Sequence, residues 1–301
     1  MKKKLFILHP GKANYPDIDA YRSYFIDKYD VIDGTRSDYE KVTDKSEVIL
    51  WCIMGFYSKK IEAKFVIHDY RSLSVGRFIK LKDLAKKIFN VKPDLRIFLN
   101  NQVEDVMEFN DTIPSCRLDM GVPKWIFGIQ PVSEVKGTFC YIGEMSLERG
   151  FDKVIDSFLS NKKDKQTFVL VGNPEKKILE KYEGEKSLVF TGRVPQKTAL
   201  EIVKSSEYAV CYFPYHRPHC FQTPTKLLEY AALGVNIICN DSPSNLGVLK
   251  EYSINATVTR KNIFDDLYLS NTTYLNPDLI KKLEWSQVID KASVEDYILN
   301  D

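Results

Sequence analysis

FQTPTKLLEYAALG, residues 221–234, carries the signals of a short helix that begins on an anion. Thr223 is a residue type that caps helix N-termini. Pro224 suits the first helical position, where a missing N–H costs nothing. Gly234 falls where a left-handed C-terminal cap belongs. Lys226 is out of place in this scheme. A capping box puts Glu or Gln there, and a cation at the positive end of a helix dipole is unfavourable by roughly 0.3–1 kcal/mol. A bound phosphate reverses that sign, because the N–H groups around Thr225, the dipole and the ammonium then share one anion. Glu229 follows one turn later, about 5 Å along the axis. Its side chain leans back toward the helix start, where a carboxylate accepts hydrogen bonds from sugar hydroxyls. The same spacing also fits a surface ion pair between Lys226 and Glu229, worth ~0.2–0.5 kcal/mol. Taken alone, the stretch fits both readings.

The 301 residues suit two domains. A net charge of +2 offers no global field for nucleic acid. The six cysteines form no CxxC and mostly sit in apolar runs, as buried thiols in a reducing compartment do. MKKK leads directly into the strand-length run LFILH with no small-residue cleavage site after it, and no apolar run has the ~20 residues that cross a bilayer. The expectation is a cytoplasmic protein, at most peripheral to a membrane.

Working back to the N-terminus, short continuous apolar runs recur at 5–9, 29–33, 47–53, 64–68, 95–100 and 116–121. Continuous apolarity marks strands buried on both faces, and their alternation with helical patterns marks a parallel, doubly wound α/β sheet. Ligands gather at the carboxyl ends of such strands. The first run ends at His9-Pro10-Gly11, where Gly11 allows close backbone approach, although no GxGxxG follows. Asp17-Ile18-Asp19 matches a metal-holding DxD pattern, but acids at a helix start are favoured by the dipole anyway. The fourth run ends in His68-Asp69-Tyr70-Arg71. There His68 could exchange a proton with a substrate hydroxyl and Asp69 could accept from one; alternatively backbone satisfies the histidine and Asp69 caps the next segment. Residues 77–92 form an amphipathic helix with Phe78, Leu81, Leu84 or Ala85, and Ile88 on one face. Arg77 and Lys80, 82, 86, 87 and 92 oppose one acid, Asp83. That helix either packs its apolar face on the core or meets an anionic membrane surface.

The pattern breaks around Gly121-Val122-Pro123, the expected linker. A second strand series follows at 138–143, 166–172, 187–192, 208–213 and 236–240, and Gly143, Gly172 and Gly192 close the first three. Arg149 stands beside Gly150 just before a helical stretch, a good position to meet a phosphate. Arg193-Val194 follows the third strand. His216-Arg-Pro-His219-Cys220 has proline inside it and no second ligand pair, so zinc is not expected.

YIGEMSLERGFDKVIDSFL, FVLVGNP, VFTGRVP, YAVCYFP and TPTKLLEYAALGVNIIC follow in the order and spacing of the retaining GT-B glycosyltransferases of the group 1 type, and residues 115–300 resemble that family. The first half matches weakly, through Gly11, His68-Asp69 and the linker. The resemblance implies two Rossmann-like domains facing each other across a cleft. An N-terminal acceptor-side domain would span 1–122, with the last helix, 286–301, crossing back onto it. A nucleotide-sugar-binding domain would span 123–285. It also implies hexose transfer from a nucleoside-diphosphate sugar to a glycan or lipid-linked acceptor in surface polysaccharide synthesis. The mechanism that the resemblance implies requires neither a cofactor nor a metal.

In that family's E-x7-E motif the second Glu, which holds the ribose, falls on Glu229, while Phe221 stands at the first. Thr223-Pro224-Thr225-Lys226 resembles the Ser/Thr-Pro-x-Lys element of a subset of the family. Arg149, Lys226 and the N–H groups around Thr225 would stabilise the leaving diphosphate. Gly143 and Thr223 would line the donor, and backbone near Arg193-Val194 would meet the base. His68 and Asp69 would touch the transferred sugar or the acceptor.

Overall fold

The computed structural model describes residues 2–11, 15–53, 55–260, 262–269 and 277–299. The chain divides into two compact units. The first gathers the described residues of Met1–Gly121, Phe221–Thr223 and Glu284–Asp301; the second gathers Val122–Cys220 and Pro224–Leu283.

The first unit is built on six parallel strands: β1 (Lys3–Leu8), β2 (Tyr29–Gly34), β3 (Val48–Ile53), β4 (Phe65–Tyr70), β5 (Leu95–Phe98) and β6 (Ser115–Arg117). Their order is β2-β1-β3-β4-β5-β6. Every residue of β3 (VILWCI) and β4 (FVIHDY) is buried, which is what a central parallel strand demands of its sequence. On one face Trp51 packs with Tyr21 and Phe25 of the helix Pro16–Phe25. Trp285, from the C-terminal segment, meets Tyr21 edge-on, and a Cβ added at Gly121 would lie 2.8 Å from the Trp285 ring. The C-terminal segment forms two helices, Trp285–Ala292 and Val294–Leu299, divided at Ser293, whose φ is positive. Ser286 lies inside the first of these, and its hydroxyl bonds the Glu284 carboxylate.

The second unit also has six parallel strands: β7 (Phe139–Ile142), β8 (Phe168–Val171), β9 (Leu188–Gly192), β10 (Tyr208–Cys211), β11 (Asn236–Asn240) and β12 (Thr257–Thr259). The order is β12-β11-β10-β7-β8-β9. The three-residue β12 has no apolar run, so sequence pattern did not reveal it. Phe139, Phe158, Phe168 and Phe264 pack edge to face at the centre of the core. Both sheets are α/β, Rossmann-like and all parallel.

In each sheet the chain reverses its direction of travel once. In the first unit the reversal lies between β1 and β3, and in the second between β7 and β10. Neighbouring loops at such a switch point part to opposite faces and leave a crevice at the carboxyl ends of the strands.

Two expectations from the first half are corrected. β4 does not end at His68: the strand runs through to Tyr70, so His68 and Asp69 are interior residues, both fully buried. The helix of 77–92 spans Ile79–Phe89, and it buries Asp83 rather than its apolar face.

Candidate active site

The switch point of the second sheet gathers the residues with the most chemistry. The loop after β7 carries Gly143, Glu148 and Arg149. The loop after β10 carries His216 and His219 and runs toward the helix Thr225–Leu233. The route of this second loop is fixed by buried amides. Asn245 donates to the carbonyl of Cys211 and to Asn240, and Asn240 accepts from the Phe213 N–H at 2.9 Å and donates to the Phe213 carbonyl at 2.8 Å. Tyr230 reaches from the helix to accept the Ile142 N–H at 3.2 Å, which ties that helix to β7.

Backbone at the ends of β7 and β8 lies close together. Gly172 has a φ of +136°, and a Cβ there would sit 2.2 Å from the Gly143 carbonyl oxygen. Only glycine satisfies both conditions. The close approach holds the Gly143 turn in place, and the Gly143 N–H bonds the Val171 carbonyl at 3.0 Å.

Arg149 is largely enclosed. Its nearest acid is Glu144, at 3.5 Å, its carbonyl accepts from the Tyr212 hydroxyl at 2.8 Å, and its Nε is buried with no hydrogen-bond partner among the described residues. A buried guanidinium with an N–H left over is a donor awaiting an acceptor. Lys226 bonds Glu229 at 2.8 Å, so the i, i+3 pair forms, but it is not a surface pair. Glu229 is buried and holds a second bond, from Gln196 Nε2 to its Oε1 at 2.8 Å. Arg149, Lys226 and Glu229 all lie within electrostatic reach of the Cys211 thiol at the end of β10, whose pKa burial raises well above normal.

The helix start is corrected by one position. The helix begins at Thr225, Pro224 occupies the cap position, and no side chain caps it. Thr223 belongs with the first unit, where its hydroxyl donates to Asp119 and accepts from Asn100 Nδ2 at 3.2 Å. The same Asn100 donates to the Phe221 carbonyl. No side chain caps the first turn; within it the Leu227 N–H bonds the Pro224 carbonyl at 2.9 Å, and Thr225 and Lys226 stand ahead of that first bond. Gly234 ends the helix in the left-handed conformation at φ +64°, as the sequence indicates. Arg193 is exposed and Val194 half-buried in the loop that leads from β9 to the helix Gln196–Ser205.

Gln196 is the residue that the sequence reading missed. Nothing in its local pattern marks it, because its importance comes from tertiary contact with Glu229. Glu148 is similar. Its carboxylate meets His216 Nε2 at 2.9 Å, and together with His219 it forms a group whose ligand atoms lie within 4.8 Å of one another. The second ligand source that the HxxHC stretch lacked is therefore Glu148. As the side chains stand, the His216–Glu148 spacing is that of a hydrogen-bonded pair.

In the first unit, the switch point opens into a cavity of about 590 Å³ lined by His9, Thr35, Arg36, Ser37, Phe56 and Tyr57. Gly11 adjoins it with φ +70°, and its N–H bonds His9 Nδ1 at 3.2 Å. The remainder of that loop, 12–14, lies outside the described residues. Asp69 lies within the sheet, where it accepts from Tyr21 at 3.1 Å and Trp51 at 3.0 Å. Burial raises its pKa to about 6, against the lowering pull of Arg71. Burial lowers His68 to about 3, and the Arg96 charge adds to that. Both groups are sealed in β4, so the contacts with sugar or acceptor expected of them are not made from these positions. Asp17 is buried against Arg71 at 3.3 Å, and Asp19 is exposed, so the two acids do not converge as a DxD metal pair.

Residues 126–267, almost all of them in the second unit, match the model of the family Glycosyl transferases group 1. The whole chain has the GT-B fold. It resembles Anabaena HepE, solved in complex with UDP, at 9% identity and a TM-score of 0.63, covering 96% of this chain and 94% of that one. It resembles a glycosyltransferase from Rickettsia africae at 12% identity and a TM-score of 0.63, covering 100% and 97%. The lipopolysaccharide outer core galactosyltransferase WaaB matches at 11% identity and a TM-score of 0.60, covering 99% of each chain. Among curated proteins, none matches the chain by sequence.

Proposed function

We propose that the protein is a retaining hexosyltransferase. It moves a sugar from a nucleoside diphosphate to a glycan or lipid-linked oligosaccharide in the assembly of a surface polysaccharide. The observation that carries the reading is the pairing, at the switch point of the second sheet, of an enclosed Arg149 whose buried Nε has no partner among the described residues with the Lys226–Glu229 pair on a helix whose start no side chain caps.

The diphosphate binds to Arg149, Lys226 and the N–H groups around Thr225. Glu229, oriented by Gln196, accepts from the ribose hydroxyls. Gly143 lets the backbone approach the donor, and the Arg193-Val194 loop meets the base. The bond between the anomeric carbon and the leaving oxygen breaks, and negative charge grows on the diphosphate, where the two cations and the helix start stabilise it. The acceptor hydroxyl forms the new bond on the same face and its proton passes to the leaving phosphate oxygen. No side-chain nucleophile takes part. The cations neutralise the leaving group, so the reaction is metal-independent, and turnover should persist undiminished in excess EDTA. The first-unit cavity, with its aromatic Phe56 and Tyr57, suits the acceptor. His68 and Asp69 support that unit from within the sheet. The six free cysteines, four of them buried, suit a reducing, cytoplasmic setting.

Phe221 favours a second reading, a nucleotide-sugar-binding module with weak or lost catalysis, because it removes a carboxylate from the expected sugar site. A panel of activated sugars decides between them. The enzyme releases free nucleoside diphosphate from at least one donor when an acceptor extract is present. Measurable donor binding with no release from any donor would establish the module instead.

A further inference from the structure

The helix Ile79–Phe89 is turned against its own hydrophobicity. At about 100° per residue, Leu81, Leu84, Ala85, Ile88 and Phe89 fall within an arc of roughly 140°, and Asp83 lies nearly opposite its centre. A helix packed on a core buries such a stripe. Here Asp83 is the buried residue, accepting the Ser74 N–H at 3.2 Å. The stripe faces outward: Leu81 is 63% exposed, Ile88 61% and Phe89 63%, and Phe78 just before the helix is 76% exposed. Val75 and Leu84 extend the patch. Contiguous apolar surface of this kind marks a contact site on an otherwise polar protein.

The charges flanking the stripe identify its partner. On the same wheel Lys82 and Lys86 lie along one edge, Lys80 and Lys87 along the other, and Arg77 and Lys92 stand at the two ends. An apolar ridge bordered on both sides by lysines matches the boundary between acyl chains and anionic headgroups. A protein partner would have to offer a hydrophobic groove with an acidic rim on each side. A bilayer containing anionic phospholipid offers that arrangement everywhere on its surface.

We infer that this helix is an interfacial anchor. It lies in the plane of an anionic membrane surface, inserting Phe78, Leu81, Leu84, Ile88 and Phe89, with its lysines at the phosphates and Asp83 pinning it to the first unit. The inference stands apart from glycosyl transfer: it concerns where the protein sits, and vesicle binding needs no turnover.

The test is co-sedimentation of the full chain with vesicles of pure phosphatidylcholine and with vesicles containing a third phosphatidylglycerol. The anionic vesicles should bind at least tenfold more strongly, and binding should fall with added salt. The double variant Leu81→Ser/Ile88→Ser should lose binding at least tenfold. The variant Lys80→Glu/Lys82→Glu/Lys86→Glu/Lys87→Glu should lose the preference for anionic lipid. Far-UV circular dichroism and the thermal midpoint report whether each variant remains folded. Wild-type protein that stays in solution with anionic vesicles overturns the inference, as does a folded double variant that binds as the wild type does. A lipid-independent dimer that the Leu81→Ser/Ile88→Ser variant abolishes, without vesicle binding by the wild type, would instead assign the ridge to a second copy of the chain.

Discussion

Lys226 illustrates how one residue can satisfy two readings. It pairs with Glu229 at 2.8 Å, as an i, i+3 ion pair requires, but its partner is buried and also held by Gln196. At a surface such a pair would contribute only a few tenths of a kcal/mol. A lysine at a helix start beside an enclosed, under-bonded arginine has more to gain from an anion than from its neighbour. Replacing either cation, Arg149→Ala or Lys226→Ala, is expected to lower donor turnover by about 10²-fold or more, with the thermal midpoint little changed. Steady-state kinetics against the best donor measure this, and wild-type rates for both variants would remove them from the site. Gln196→Ala leaves Glu229 Oε1 without its donor, so the carboxylate is less well aimed. A rise of several-fold in the donor KM, with a smaller change in kcat, is the expected signature.

At the scale of the element, two glycines with positive φ separate backbone strain from steric clash. A Cβ added at Gly234 would meet nothing within 4 Å, so Gly234→Ala meets only the left-handed penalty, about 1 kcal/mol. At Gly172 a Cβ would also collide with the Gly143 carbonyl, so Gly172→Ala should cost clearly more, about 2–4 kcal/mol. Denaturant unfolding of the second unit ranks the two, and equal costs would mean that the β7 and β8 ends relax freely. Elements also set the limits of the sequence reading. Both sheets were legible because each central strand is a continuous apolar run. β12 was not, because TVT has no such run and is recruited by its pairing with β11. The helix Ile79–Phe89 was legible as a helix, but amphipathicity alone does not say which face is turned inward; Asp83 and the Ser74 N–H decide that.

For the whole molecule, stability against pH follows from β4. The pKa of His68 is depressed to about 3 by burial, so its neutral form is favoured by folding. That contribution is complete above the unfolded value near 6.5 and is lost as pH falls toward 3. The pKa of Asp69 is raised to about 6, so its contribution has the opposite sign: it is complete below the unfolded value of about 3.9 and is lost as pH rises through 6. Between about pH 4 and 6 the two oppose each other. Unfolding of the first unit measured from pH 7 to pH 4 should therefore show a shallow loss for the wild type. His68→Gln should turn that loss into a gain, because only the Asp69 contribution then remains, and Asp69→Asn should steepen it. Parallel slopes for all three would show that neither group couples to folding.

The sequence by itself determined the α/β class, the two parallel sheets, the glycine at the end of the 225–233 helix and the candidacy of Arg149, Lys226 and Glu229. Local pattern suffices for these because apolar runs, turn residues and charge at a helix start act over a few neighbouring positions. Tertiary structure alone decided that His68 and Asp69 are sealed within a strand, that Thr223 bonds Asp119 rather than capping its helix, that Gln196 orients Glu229, and that an apolar helix face is turned outward. Each depends on what a residue meets from distant parts of the chain, and burial and hydrogen-bond partnership are properties of that meeting.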